Sequence, residues 1–307
     1  MSKQNGEFDT FILFRAIRDN WIVVIVIALL SLALGGAYTK LVTKTYTSTI
    51  KLIPTTNEFV SSSSSLINQL GGLADLSSLR TTAGEVDQTT QKIEMLQSRR
   101  FLMQFIEDNN LVVPILAAVG WDSDGKKWIL DSKVYDEISN TWGGQYKSVG
   151  QNGRDVRAYI KFMDENLFVQ KDHSSGMVVI SVTTFSDEVS SRWANLLVDA
   201  FNNYTRKKAV SDARKNIAML NRELKKTSLS EIRDIIFSLL EKQLRTVTLA
   251  SSNSEFAFDI IDYAAPELVA VRPNKMYVQG IALFFGVSLG VITAIAMYIR
   301  KLRTGDV

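Results

Sequence analysis

Apolar residues crowd the two ends of the chain and thin out between them. Asn20 to Thr39 is a run of twenty uncharged residues between Asp19 and Lys40, and Met276 to Ile299 is a run of twenty-four between Lys275 and Arg300. A helix rises ~1.5 Å per residue, so the longer run reaches roughly 36 Å, against a hydrocarbon core of about 30 Å. The pattern predicts transmembrane helices over residues 21–39 and 276–299. Aromatic and basic residues mark their ends: Trp21 with Arg15 and Arg18, Tyr38 with Lys40, Tyr277 with Lys275, and Tyr298 with Arg300, Lys301 and Arg303. A cleavable signal peptide is the alternative for the first run, with Ala33, Gly35 and Ala37 as small residues, but Glu7, Asp9 and Asp19 are out of place in a basic leader. A buried core helix is the alternative for the second, and its length argues against that.

Between these runs the pattern is that of an α+β domain, residues 40–275, with a long protruding helix. Thr45 to Leu52 alternates, with Tyr46, Ser48, Ile50 and Leu52 on one face, and reads as a strand stopped by Pro54. Thr55 to Gln88, rich in Ser, Thr and Gly, reads as a mobile loop. Ile93, Leu96, Phe101, Phe105 and Ile106 predict one helix from Thr89 to near Asn110. Val112 to Gly153 reads as irregular and holds Trp121, Trp128 and Trp142, which pack a small lobe in one reading and stack on sugar rings in the other. Asp122, Asp124 and Gly125 read as a plain turn, lacking the spaced ligands of a calcium loop. Leu167–Lys171 and Met177–Phe185 predict a hairpin around Asp172–Gly176.

A helical arm over 187–249 comes next, capped by Ser186 and Asp187 and broken at Lys226, Thr227 and Ser228. Its first stripe is Trp193, Leu197, Ala200 and Tyr204. Its second, out of phase with the first, is Val210, Ala213, Ile217, Leu220 and Leu224, which makes those five residues candidates for an oligomer interface. After the break, Leu229, Ile232, Ile236, Leu239, Gln243 or Leu244, and Val247 repeat in heptad fashion. Glu255 to Tyr263 alternates as a last strand, expected to pair with the first. Pro266 and Pro273 then bracket the approach to the membrane. On the second span Ala282, Gly286, Gly290 and Ala294 recur every four residues, a face fit for close helix packing against a neighbouring copy, the first span or another membrane protein.

Composition then narrows the chemistry. Cysteine is absent among the 307 residues and histidine occurs once, at His173, so disulfides, thiol nucleophiles and histidine-rich metal sites are excluded, and no catalytic, cofactor-binding or metal-binding residue is assigned. Adjacent Asp164 and Glu165 point apart and make a poor acid–base pair. A net charge of +3, from 35 basic and 32 acidic residues spread throughout, offers no footprint for nucleic acid. Basic residues on the tails (Lys3, Arg15, Arg18, Arg300, Lys301, Arg303) outweigh those of a loop too long to govern orientation, so residues 1–20 and 300–307 are expected in the cytoplasm.

Several segments together resemble one family. Glu7, Phe8, Asp9 and Thr10 with Trp21 look like its acidic motif before the first span, and Tyr46 to Ile50 like its first strand. Ile93 to Arg100 fits the helix that follows. Gly176 to Val182 leading into Arg192 to Val198 and Asn202 to Tyr204 is the most specific stretch. Phe258 to Pro266 and Pro273 look like the lead into the second span. On these residues the chain resembles the bacterial polysaccharide co-polymerases, the Wzz-type chain-length determinant proteins. It has fewer prolines before the second span than is usual there, and Gly120 to Asp122, Tyr135 and Trp142 look like an insert found in some members only.

The resemblance implies a ring-like homo-oligomer in the bacterial inner membrane, its bulk in the periplasm. Such a protein regulates the chain length of O-antigen or a related polysaccharide made by a separate membrane polymerase. It implies the lipid bilayer, the polymerase and other copies of the chain as partners, with lipid-linked glycan as a further candidate, and no enzymatic activity. No Walker-type glycine loop occurs, so the kinase carried by some capsule-type relatives is not expected. A periplasmic adaptor for polysaccharide export and a two-span sensor are the rival readings.

Overall fold

The computed structural model describes residues 18, 20–55, 88–172, 174–252 and 254–304. The expected loop between Thr55 and Gln88 lies, except for those two residues, outside the described residues, as do His173 and the acidic motif near the N-terminus. The chain forms two units, one from residues 1–45 and 270–307 and one from 46–269.

The first helix, α1 (Trp21–Leu41), covers the first apolar run and extends two residues beyond the expected end. In the second unit, β1 (Tyr46–Pro54) keeps its alternation, with Ser48, Ile50 and Leu52 buried and Lys51 exposed. The single helix expected from Thr89 is two, α2 (Gln88–Gln97) and α3 (Arg99–Asp108). Ser98 adopts an extended backbone and its Oγ accepts the Phe101 N–H at 3.4 Å, so a cap interrupts the apolar periodicity.

Residues 112–153 are more ordered than their pattern suggests. They hold α4 (Val112–Ala117), a hairpin of β2 (Ala118–Asp122) and β3 (Lys127–Leu130), and a shorter one of β4 (Tyr135–Asp136) and β5 (Thr141–Trp142). The turn at Asp122 is a plain one, its carboxylate accepting from Asp124 N–H. The aromatics pack on one another: Trp121 meets Trp128 at 5.0 Å, Trp128 meets Trp193 at 5.6 Å, and Trp142 lies 4.9 Å from Tyr135 and 5.7 Å from Tyr146. A helix that the pattern did not signal, α5 (Gln151–Lys161), ends in a π turn, Phe162–Asn166.

β6 (Leu167–Lys171) and β7 (Val178–Thr184) form the expected hairpin. The Asp172 carboxylate accepts from the Ser174 and Ser175 hydroxyls, which holds it well below the usual carboxylate range, and Gly176 supplies the positive φ of 72° that closes the turn. The long helix α6 (Asp187–Lys226) starts at Ser186, whose Oγ accepts the Val189 N–H, with acids in its first turn and lysines in its last. α7 (Ser230–Ser252) and β8 (Phe258–Asp262) follow, then α8 (Lys275–Thr304).

The four-stranded antiparallel sheet has the order β6-β7-β1-β8. Ile50 faces Ile180 across one ladder, and Leu52 faces both Val178 and Ile260. The first and last strands are neighbours, as expected. The first half of α6 packs on this sheet through Val189, Leu197 and Phe201, and the Phe201 ring lies 5.1 Å from Phe101 and 5.6 Å from Phe258.

Candidate functional site

The small-residue face of α8 meets α1. A Cβ placed on Gly286 would stand 3.0 Å from Ala28 Cα and 2.7 Å from Ser31 Cβ, and one on Gly290 would stand 2.9 Å from Val24 Cα. Gly35 of α1 is as tight against Ala282 Cβ, and Ala294 is fully buried. Ser31 Oγ donates to the Ala282 carbonyl at 2.6 Å. Both helices are long and apolar enough to cross a membrane, and Leu30, Leu34, Phe284 and Phe285 are exposed on them. Of the three partners open to the face of Ala282, Gly286, Gly290 and Ala294, the structure supplies the first span.

The second stripe of α6 is also occupied within the chain. Ala213 is buried and Val210, Ile217, Leu220 and Leu224 are half-buried, while α7 turns Ile236, Thr246 and Ala250 inward. α6 and α7 pack as a hairpin, with Asn216 Nδ2 donating to Gln243 Oε1 at 3.4 Å. The five residues expected at an oligomer interface therefore pack in part against α7, and four of them keep a half-exposed surface. Periodicity reveals an apolar face but not its occupant, and a chain that doubles back covers that face first.

Two asparagines seven residues apart on α6 clamp the returning chain. Asn202 accepts the N–H groups of Ala257 and Phe258 and donates to the Phe258 carbonyl, each at 2.9 Å, while Asn195 accepts from Ala264 N at 3.0 Å and donates to its carbonyl at 2.9 Å. From α2, the buried Lys92 ammonium donates to the carbonyls of Thr55 at 2.5 Å and Ala257 at 3.1 Å. Burial pushes this lysine down to about 8. Pro266 lies exposed beyond Ala264, and Pro273 follows a cis peptide bond next to an antiparallel bridge between Thr45 and Arg272.

Along the middle of α6 lie two cavities, of ≈ 510 Å³ against α3 and ≈ 610 Å³ against α7, with Lys207 and Lys215 lining both. A carboxyl pair stands elsewhere. Glu255 is raised by its hydrogen bond with Asp259, then by burial and by the negative charges of Asp259 and Asp199, and burial raises Asp199 as well. Glu165 lies 4.0 Å from Lys161. Among the described residues no three acidic or histidine side chains gather as metal ligands.

Sequence reading missed the asparagine clamp and the basic strip of α6. Asn195 and Asn202 lay within the most specific stretch of the family resemblance, without a role. The strip was signalled by the doublets Lys207-Lys208 and Arg214-Lys215, seven residues apart and so on one helix side.

Comparison with known proteins gives one family match. Residues 6–109, about a third of the chain, match the model of Wzz, the chain length determinant protein, which bears out the resemblance over that segment. Among curated protein sequences there is no match. Similar solved structures include two polysaccharide co-polymerases. One is a full-length bacterial polysaccharide co-polymerase, 10% identical, covering 95% of this chain and 97% of that one at a TM-score of 0.37. The other is a fragment of WzzB, a polysaccharide co-polymerase from Salmonella Typhimurium, 11% identical, covering 75% of this chain and all of that one at a TM-score of 0.31.

Proposed function

We propose, from a chain whose residues 6–109 match the chain length determinant family, that the protein is a non-enzymatic membrane scaffold regulating the length of a surface polysaccharide. That match is the observation that carries the reading. In this reading the polymer is O-antigen or a related polysaccharide, elongated by a separate membrane polymerase, and the scaffold works as a homo-oligomer in the bacterial inner membrane. Residues 1–20 and 300–307 lie in the cytoplasm and 40–275 in the periplasm.

The side chains then act by positioning. The face of Ala282, Gly286, Gly290 and Ala294 holds the two spans as one hairpin, because in lipid only close backbone contact and hydrogen bonds draw helices together. Asn195 and Asn202 fix the chain on its return toward Pro266 and Pro273. The stripe of Val210, Ala213, Ile217, Leu220 and Leu224 stiffens the arm against α7 and, in this reading, also contributes its half-exposed surface to contact between copies.

The test is deletion of the gene followed by electrophoresis of the surface polysaccharide. A ladder that loses its modal length while polymer persists is the expected result. Complete loss of surface polymer would favour an export adaptor, and an unchanged ladder would overturn both readings.

A further inference from the structure

The two cavities of α6 form one basic strip. Lys207, Ser211 and Lys215 line both, Arg100 and Lys208 add to the first, and Arg206 and Arg214 add to the second. Against these six cations stand two carboxylates, Asp108 and Asp212, which leaves an excess of four positive charges where the whole chain carries +3. Asp212 is engaged by Lys208 at 2.9 Å and lies 3.9 Å from Lys215. The doublets Lys207-Lys208 and Arg214-Lys215 stand two helical turns apart, about 10 Å along the axis. Like charges so arranged repel one another, and an anionic ligand relieves that cost. The first cavity also holds an aromatic floor, where the half-buried Tyr204 ring meets Phe101 at 5.3 Å.

We propose that this strip binds an anionic saccharide segment, with Lys207 and Arg214 holding its carboxylates or phosphates and Tyr204 lying against the apolar face of a sugar ring. The anion follows from the charges. The saccharide rests on the functional reading above. A long acidic chain spans both cavities and gains from having its second contact within the same molecule, whereas a short one fills a single cavity, so affinity rises with length.

Calorimetric titration of the detergent-solubilised full chain tests this with heptagalacturonate, digalacturonate, maltoheptaose and a polyphosphate matched in charge to the heptamer. Heptagalacturonate should bind about tenfold more tightly than each of the others. Lys207→Glu with Arg214→Glu, at two exposed positions, should weaken it about tenfold, and Tyr204→Leu should do so about threefold with little dependence on salt. Equal affinity for polyphosphate would overturn the saccharide part, equal affinity for maltoheptaose the ionic part, and equal affinity for digalacturonate the two-cavity part. A change of mass in light scattering on charge reversal would assign the strip to contact between copies and overturn the whole. A chain that fails to bind yet restores a modal ladder to a deletion strain sinks the site alone. Binding retained alongside a ladder indifferent to deletion sinks only the functional reading.

Discussion

Two helix pairs in this chain solve the same problem in opposite ways. α1 and α8 expose leucine and phenylalanine and meet through glycine, alanine and serine, with Cα atoms of one helix within 3.0 Å of where Cβ atoms of the other would be. α6 and α7 expose lysine, arginine and glutamate, interspersed with Met219, Ile232, Ile235, Phe237, Leu244 and Leu249, and meet through Ala213, Ile236, Thr246 and Ala250. In water, burying an apolar stripe is itself a driving force, so the arm needs no unusual closeness. A pair with greasy outer surfaces lacks that drive and depends on contact distance and on the bond from Ser31. The outer surface of a helix pair thus dictates what its inner surface must be.

The largest expected effect comes from spoiling the tight pair. Gly286→Leu with Gly290→Leu drives side chains into the α1 backbone, and should cost about 4 kcal/mol in detergent melting and shift the polysaccharide ladder. If stability holds, contact distance is not what joins the spans. Next is the root of the arm: Asn202→Leu strands the N–H groups of Ala257 and Phe258, and should cost about 3 kcal/mol in urea titration. A milder loss would mean that β8 is held by its ladder with β1. Third, Ile217→Asp with Leu220→Asp charges the arm's inner stripe at about 2 kcal/mol. Amide exchange should quicken across α7 and the distal half of α6 and stay slow from Val189 to Thr205, whereas quickening throughout would erase the distinction between root and arm.

The smallest effect lies outside both pairs. Lys92 is held down to about 8 by burial. Above that pH and up to the ordinary lysine value the unfolded chain binds more protons than the folded one, so this group's contribution to stability rises with pH across that window and is flat below it. Urea midpoints taken between about pH 7 and about pH 10 should carry this slope in the native chain and lose it in Lys92→Met.

Local signals were legible in the sequence and distant ones were not. The alternation of Ser48, Ile50 and Leu52, the cap at Ser186 and the break near Thr227 depend on neighbours a few residues away, and each stands where its pattern implied. Ser98 escaped notice because a single serine hardly disturbs an apolar period, yet it ends one helix and caps the next. α5 was hidden because charged residues flank its few core contacts, Asp155 and Ala158 among them. The role of Asn202 depends on a strand 55 or more residues away. The occupants of the two small or apolar faces were likewise beyond periodicity, which shows that a face exists and is silent about what covers it. The basic doublets were in plain view, but averaging charge over the whole chain concealed them.

The order β6-β7-β1-β8 makes the central body an insertion. Its first strand begins one residue after Thr45 and its last is that strand's neighbour in the sheet, so all four strands and the aromatic core lie within residues 46–269. Scissors applied at those two points sever no strand from its ladder and leave two loose threads at one margin of the fabric. The body is a cassette, excisable in one piece and open to grafting between the adjacent strands of another host.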